Sequence, residues 1–425
     1  MQIFNLISGS YGTGKMPEEK LNIVLAGFYS EWSLAKFYPA VFEDEKVGGR
    51  INLHGVAGRQ QATDALVRLM EAGEERFDLM KQAYSTGSDW RKEQTKREIL
   101  SILALQEMLE KGSVKYLTIS PENTLPVQAY NESVGAVAVI TPNPTHIDFI
   151  EDSIEHDKHV TVEKSLVPLY DGRGNISRID LDRLVLANDK LRRKGLVGKD
   201  SEHYSHKPAS LQFFGLIERL HEDYGLIKQV DAYVLETDSP TKPRTKNTLS
   251  MQNRTGLLTD TGVHPLSVIA NIGGVVGEVF EARYDIFQGY DVETYAKVDF
   301  SIKGKYFTQD ASGSIEVGKF MRLPMEEQEK GRKYIDFVFT RKDVDTVVRV
   351  SLNSPNILIN GTPVEIGNEF SKNEYVNILL DFHNAIKQGT KPISSFDTSI
   401  PILDAIARTY ERFPVSRNIQ SVYLV

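Results

Sequence analysis

The chain has 425 residues, too many for one compact core, so two domains are expected. Apolar residues make up 40% and charged residues 25%, a globular composition that excludes a disordered chain. Acidic residues outnumber basic ones, 58 to 50, giving a net charge of −8 that argues against a nucleic-acid partner, and the lack of cysteine excludes disulfides and thiolate metal sites.

Met1–Ser10 has no basic region ahead of an apolar core, and no apolar run reaches the roughly 20 residues of a membrane span. A soluble, cytoplasmic protein with no membrane contact is expected. Gly9–Lys15 matches the phosphate-cradling pattern G-x-x-x-x-G-K. Met16-Pro17 follow where a hydroxyl residue and a helix are needed, so a nucleotide triphosphatase is not expected.

In chain order, Leu21–Gly27 reads as a buried strand ending on glycine, Ser33–Val41 as a short helix and Ile51–Val56 as a second strand. Ala62–Gly112 is long, charged and mostly helical in pattern, more chain than a crossover needs, and reads as an insertion. Val114–Ile119 and Ala136–Thr141 are strands, Thr145–His156 a helix, His159–Glu163 a strand and Asp180–Gly195 a helix. Leu196–Val197 opens a last short strand, closing a first domain at about residue 199. Strand-like alternation then dominates: Ile227–Glu236, Val275–Tyr284, Tyr295–Ile302, Ser312–Val317, Tyr334–Thr340 and Asp345–Leu352. Helices are expected at Leu211–Asp223, Pro265–Asn271, Glu374–Gln388 and Ile400–Phe413. The expected fold class is α/β: a doubly wound parallel sheet in residues 1–199, then an α+β domain in 200–425 with an open, mostly antiparallel sheet.

Three local patterns carry chemistry. Thr141-Pro142-Asn143-Pro144-Thr145-His146 stands where a buried strand gives way to a helix, the edge at which α/β sheets bind ligands. Alternatively it is a plain helix start with Thr145 as N-cap. Glu163-Lys164-Ser165 follows the next strand; a lysine there can hold a hydroxyl by a charged hydrogen bond, or it simply reaches solvent. Asp260-Thr261-Gly262-Val263-His264 places Asp and His on one face at a helix start. Histidine can there remove a proton from an alcohol with the carboxylate orienting it. The alternative is a cap and an interior histidine.

In this order the three patterns resemble the glucose–fructose oxidoreductase / inositol 2-dehydrogenase family (Gfo/Idh/MocA), from Leu21 to about Tyr410. The resemblance includes Asp157-Lys158-His159-Val160 and the C-terminal segments Asp381–Gly389 and Ile400–Tyr410. It implies a Rossmann domain that binds NAD or NADP, and hydride exchange with a hydroxyl carbon of a sugar, sugar derivative or cyclitol. Lys164 then corresponds to the active-site lysine, Asp260 to its aspartate and His264 to its proton-transferring histidine. Gly27, Tyr29, Ser30, Thr141, Pro142, Asn143, His146 and Glu163 are implied on the cofactor side, and Tyr204, His206 and Arg254 on the substrate side. Family members pair through the open sheet, so a homodimer or homotetramer is implied. No metal ligands are assigned.

Two departures bear on the cofactor. Ser165 replaces the proline of the family's E-K-P. The glycine loop reads Gly27-Phe28-Tyr29-Ser30-Glu31-Trp32, keeping one glycine and adding bulk and an acidic group where phosphates would lie. At the end of the second strand, Val56-Ala57-Gly58-Arg59 offers an arginine without an acidic neighbour, which favours the 2′-phosphate of NADP over NAD. A surface arginine is the alternative. Two other functions stay open on the same fold: a redox-assisted glycosidase or lyase, and a non-catalytic ligand sensor.

Overall fold

A computed structural model describes residues 19–27, 33–59, 89–237, 248–328, 331–365, 367 and 369–415. The P-loop-like run at residues 9–15, the loop residues Tyr29, Ser30, Glu31 and Trp32, and residues 62–88 of the expected insertion lie outside these.

Six short strands, β1 (Leu21–Ala26), β2 (Ile51–Gly58), β3 (Lys115–Thr118), β4 (Ala136–Val139), β5 (His159–Val162) and β6 (Gly198–Asp200), form one sheet. Their order is β3-β2-β1-β4-β5-β6 and every pairing is parallel. The chain therefore reverses its direction of winding between β1 and β4, leaving a crevice at their carboxyl ends. Side chains alternate across the sheet with the period of two that strands impose. Leu21, Ile23 and Leu25 of β1 face one core, while Val24 and Ala26 face another. The second of these cores takes Ile147, Ile150 and Ile154 from helix α4 (His146–Glu155) and Leu181, Leu184 and Leu191 from α5 (Ile179–Lys194). Helix α5 starts with Asp180 and Asp182, ends with Arg192, Arg193 and Lys194, and stops on Gly195 at φ 66°, each matching the helix dipole or the left-handed cap.

The first core is completed from the far end of the sequence. Tyr375, Val376, Ile378, Leu379 and Phe382 of helix α8 (Glu374–Gln388) pack with β1 residues and with α1 (Tyr38–Phe42), α2 (Glu45–Gly48) and α3 (Asp89–Glu110). Residues from both sides of the expected boundary at 199 thus build one core. Fully burying one such leucine or isoleucine contributes about 1.5–3 kcal/mol, enough to tie this helix to the first sheet. Within the expected insertion, the described part is the single 22-residue helix α3. The expected helix at Ser33–Val41 is a wide π-type turn, Ser33–Phe37, followed by α1; Pro39 fits the helix's first turn, where no amide hydrogen is needed.

The second sheet has eight strands in the order β14-β13-β12-β11-β7-β10-β9-β8. They are β7 (Leu226–Leu235), β8 (Val275–Asp285), β9 (Tyr295–Lys303), β10 (Phe307–Gly318), β11 (Arg332–Arg341), β12 (Val344–Ser351), β13 (Ile357–Ile359) and β14 (Thr362–Val364). Only the β7–β10 pair is parallel, so the sheet is mostly antiparallel. In β11, Ile335, Phe337 and Phe339 are buried, and the residues between them are half-exposed, the mark of a sheet covered on one face. Helix α6 (Pro208–Tyr224) packs on β11 and β12, and α9 (Phe396–Arg412) on β8 and α7 (Val263–Asn271). Among the described residues, the hairpin β13–β14 is a strand pair the sequence pattern did not announce.

Candidate active site

The carboxyl ends of β4, β5 and β6 each deliver one chain segment to the same crevice. After β4, the Thr141–Thr145 turn is closed by Thr145, whose hydroxyl donates to Thr141 Oγ1 at 2.7 Å and to Pro142 O at 2.8 Å rather than capping α4. Asn143 Nδ2 donates to Thr255 Oγ1 at 3.2 Å, tying this turn to the second sheet's domain. After β5 come Glu163 and Lys164, with a cis peptide between Lys164 and Ser165. After β6, residues 201–206 turn sharply before α6.

The second domain brings in a π-type turn, Leu258–Gly262, that runs into α7. It carries Asp260 and His264 to the crevice. Lys164 Nζ donates to Asp260 Oδ1 at 2.5 Å and to Asp260 O at 2.9 Å. Burial pushes the Asp260 carboxyl up, but Lys164 outweighs it and the net shift is downward, so Asp260 is a carboxylate.

The expected Asp260–His264 partnership is corrected here. Asp260 is engaged by Lys164, and the partner of His264 Nδ1 is Glu202, which sequence reasoning missed. Glu202 is fully buried and is itself oriented by two amides: Tyr204 N–H donates to Oε1 at 3.1 Å and Ser205 N–H to Oε2 at 2.7 Å. Burial pushes Glu202 upward; His264 and those amides hold it below the usual carboxylate range. Burial lowers the His264 pKa against the opposing pull of Glu202, so the ring is an uncharged base at neutral pH. Tyr204 walls the ring at a centroid distance of 4.2 Å and carries the Lys207 ammonium 4.4 Å over its own face. Of the three expected substrate contacts, the structure brings Tyr204 against the His264 ring.

The other two, His206 and Arg254, have protein partners of their own. His206 is buried, with Nδ1 2.8 Å from Glu202 O and Nε2 2.9 Å from Lys199 Nζ; Lys199 also donates to Asp381 Oδ2 at 2.5 Å. This knot ties β6 to α8. Arg254 donates from Nε to Tyr170 O at 2.6 Å and ion-pairs through Nη2 with Asp180 Oδ2 at 2.8 Å, which fixes the first turn of α5. Its guanidinium therefore anchors the contact between Tyr170, α5 and the second sheet's domain.

On the cofactor side, Gly27 ends β1 at φ 87°, and a Cβ there would stand 2.2 Å from Ile140 O. Only glycine allows β1 and β4 to approach this closely at the switch point. Ser33 Oγ donates to Gly27 O at 2.8 Å. Arg59, directly after β2, is exposed and donates from Nη2 to Asn123 Oδ1 at 2.6 Å. Thr141, Pro142 and Asn143 rim the crevice at the carboxyl end of β4. His146 does not reach it: the ring is buried, Nε2 lies 2.7 Å from Thr141 O and Nδ1 2.9 Å from Ser165 O. It staples the β4 turn to the lysine loop, and burial brings its pKa down to about 4. Glu163 is buried, accepts a hydrogen bond from Tyr375 of α8, and is pushed by burial up to about 7.

Beneath the turn lies another buried carboxyl group, that of Glu293. It accepts from Leu258 N–H at 3.1 Å, from Tyr170 Oη at 3.0 Å and from Tyr410 Oη. The cluster Glu202, His203 and His264 also has ligand-type atoms within 4.8 Å of one another, all buried. No such set was expected from sequence.

An ion pair, Lys164–Asp260, and a carboxylate–imidazole pair, Glu202–His264, thus meet at the carboxyl edge of a dinucleotide-type sheet. Such a site can polarise an oxygen and take its proton. No family model matches the chain, and no curated protein matches it. Solved structures do. A UDP-N-acetylglucosamine 3-dehydrogenase from Acidithiobacillus ferrooxidans superposes with a TM-score of 0.59 at 14% identity, covering 92% of this chain and 96% of that one. An oxidoreductase from Agrobacterium radiobacter, in complex with NAD+, L-tartaric acid and magnesium, gives 0.62 at 11% identity, covering 92% and 96%. A 3-ketoreductase from Actinomadura kijaniata, in complex with NADP and TDP-benzene, gives 0.57 at 13%, covering 92% and 97%. The chain has the two-domain fold of these oxidoreductases.

Proposed function

We propose that this chain is an NAD(P)-dependent oxidoreductase acting on a hydroxyl carbon of a sugar, sugar derivative or cyclitol, a divergent member of the glucose–fructose oxidoreductase / inositol 2-dehydrogenase family. The observation that carries this reading is the meeting of Lys164–Asp260 with Glu202–His264 at the carboxyl edge of the first sheet. The comparisons support it, because structures of the same fold are named as dehydrogenases and ketoreductases and two hold NAD+ or NADP.

The crevice fits a dinucleotide. Gly27 leaves bare backbone at the switch point, and Arg59 with Asn123 stands at the end of β2, where a 2′-phosphate would be recognised. Gly27, Thr141, Pro142 and Asn143 would hold the cofactor, and Arg59 favours NADP over NAD. When bound, the nicotinamide supplies a hydride acceptor or donor. In the oxidative direction His264 takes the substrate's hydroxyl proton, Glu202 steadies the imidazolium that forms, and Lys164 donates to the same oxygen as its charge develops. Asp260 holds the lysine in place through two hydrogen bonds, and Tyr204 lines the substrate side. The division into a dinucleotide domain, residues 1–199, and a substrate domain, residues 200–425, follows this reading, as does pairing of copies through the open face of the second sheet. A cytoplasmic setting suits a chain without cysteine, and among the described residues no helix is long and apolar enough to cross a membrane.

The test is a panel of sugars, sugar acids and cyclitols with NADP+ and NAD+, read by the absorbance of reduced cofactor. Turnover of at least one member, lost in His264→Ala, is the expected result. Turnover that survives in His264→Ala, or a panel with no turnover although cofactor binds, would overturn the assignment of substrate and base.

A further inference from the structure

Glu202, His203 and His264 form a donor set that the proposed hydride chemistry does not require as a set. Their ligand-type atoms, one carboxylate oxygen and two imidazole nitrogens, lie within 4.8 Å of one another and all three residues are buried. The rings of His203 and His264 stand edge to face with centroids 4.7 Å apart. Glu202 is held by its surroundings: the amides of Tyr204 and Ser205, which cannot themselves ligate a cation, grip its oxygens, and His206 Nδ1 lies against its backbone carbonyl. Such outer contacts are what a ligating carboxylate needs to keep its geometry.

Two imidazoles and one carboxylate are the donors of zinc and of divalent iron, cobalt or manganese, whereas magnesium and calcium prefer oxygen alone. The net ligand charge, one carboxylate with two neutral rings, also suits a dication in a buried place. We propose that Glu202, His203 and His264 bind one divalent transition-metal ion of the zinc class.

The consequence follows from the imidazole itself. A neutral ring has one lone pair, and the nitrogen that ligates an ion uses it, leaving the other as N–H. His264 is therefore either a ligand or the base of the proposed reaction, whichever nitrogen the ion takes. Metal loading and proton transfer exclude each other, a consequence that rests on the proposed function, while the binding itself does not. His203 has no part in the proposed proton transfer, which gives the site a separable handle.

The experiment uses the full chain, stripped with a chelator and dialysed to equilibrium against ZnCl2, with zinc per chain as the readout. A parallel titration with Co2+ follows the visible absorption of a low-symmetry site. About one zinc per chain is expected, with binding weakened at least about tenfold in both His203→Ala and Glu202→Gln, and with the far-ultraviolet circular dichroism of each variant matching the parent. No retained zinc, or zinc held equally well by both variants, would overturn the proposal. Failure of the sugar panel would leave this result standing, because no turnover enters it.

Discussion

Two buried clusters touch the same turn, and they treat their carboxylates in opposite ways. Above Leu258–Gly262, burial pushes Asp260 and Glu202 upward, yet Lys164 and His264 bring both below their ordinary values. Below the turn, Glu293 has tyrosine hydroxyls and an amide for partners and no cation, so burial wins and its pKa rises. The upper cluster keeps charge in a dry place, which is expensive and serves chemistry; the lower one satisfies hydrogen bonds and serves shape. The comparison predicts that changes above the turn cost rate and changes below it cost stability.

The largest effect is expected at His264. His264→Ala removes the base, and turnover should fall by about 10²- to 10⁴-fold with cofactor affinity kept; progress curves and a cofactor titration on the same preparation check both halves. Glu202→Gln keeps the shape but removes the charge facing the imidazolium. A hydrogen bond to a charged group contributes about 1.5–3 kcal/mol, so kcat should fall by about 10- to 150-fold. An equal loss from Glu293→Gln would erase the contrast between the two clusters.

Glu163 sharpens the comparison from the side. Burial moves its carboxyl from 4.5 to about 7. Because the folded value lies above the unfolded one, its contribution is fully present below about pH 4.5 and is lost as pH rises through about 7. The cost on the alkaline side reaches up to about 3 kcal/mol. Glu163→Gln should therefore flatten the fall in stability between pH 5 and pH 8.5, measured as denaturant midpoints at both. A variant whose midpoint falls as steeply as the parent's would contradict the assignment. The smallest effect is expected for Glu293→Gln, about 1 kcal/mol of unfolding free energy with turnover changed little.

The fold was largely legible because its strands are short, apolar and bounded by turns. Ala136–Val139 is buried on both faces and reads as an unbroken apolar run, and Leu21–Ala26 and His159–Val162 are buried but for one position each and mostly apolar. The second sheet's strands alternate, and that too shows in sequence. The hairpin Ile357–Val364 did not, since three-residue strands leave no period to detect. At the candidate site, local motifs singled out Lys164, Asp260 and His264, and the structure brings the three together. Glu202 was not, because its partner His264 lies 62 residues on and only the fold joins them. The segment Glu202–Lys207 did signal a junction rich in ionisable groups, yet nothing local separates Glu202, which orients the base, from His206, which ties β6 to α8. The contact of Arg254 was hidden for the same reason: its partner Asp180 sits on another helix, and sequence shows a cation without showing what it faces.

The central claim, a nicotinamide-dependent enzyme, is tested most directly by calorimetric titration of the purified chain with NAD+, NADH, NADP+ and NADPH. The account predicts saturable binding of at least one form, tightest for a phosphorylated one and weakened in Arg59→Ala. No heat from any of the four, with no cofactor released when the chain is denatured, would contradict it.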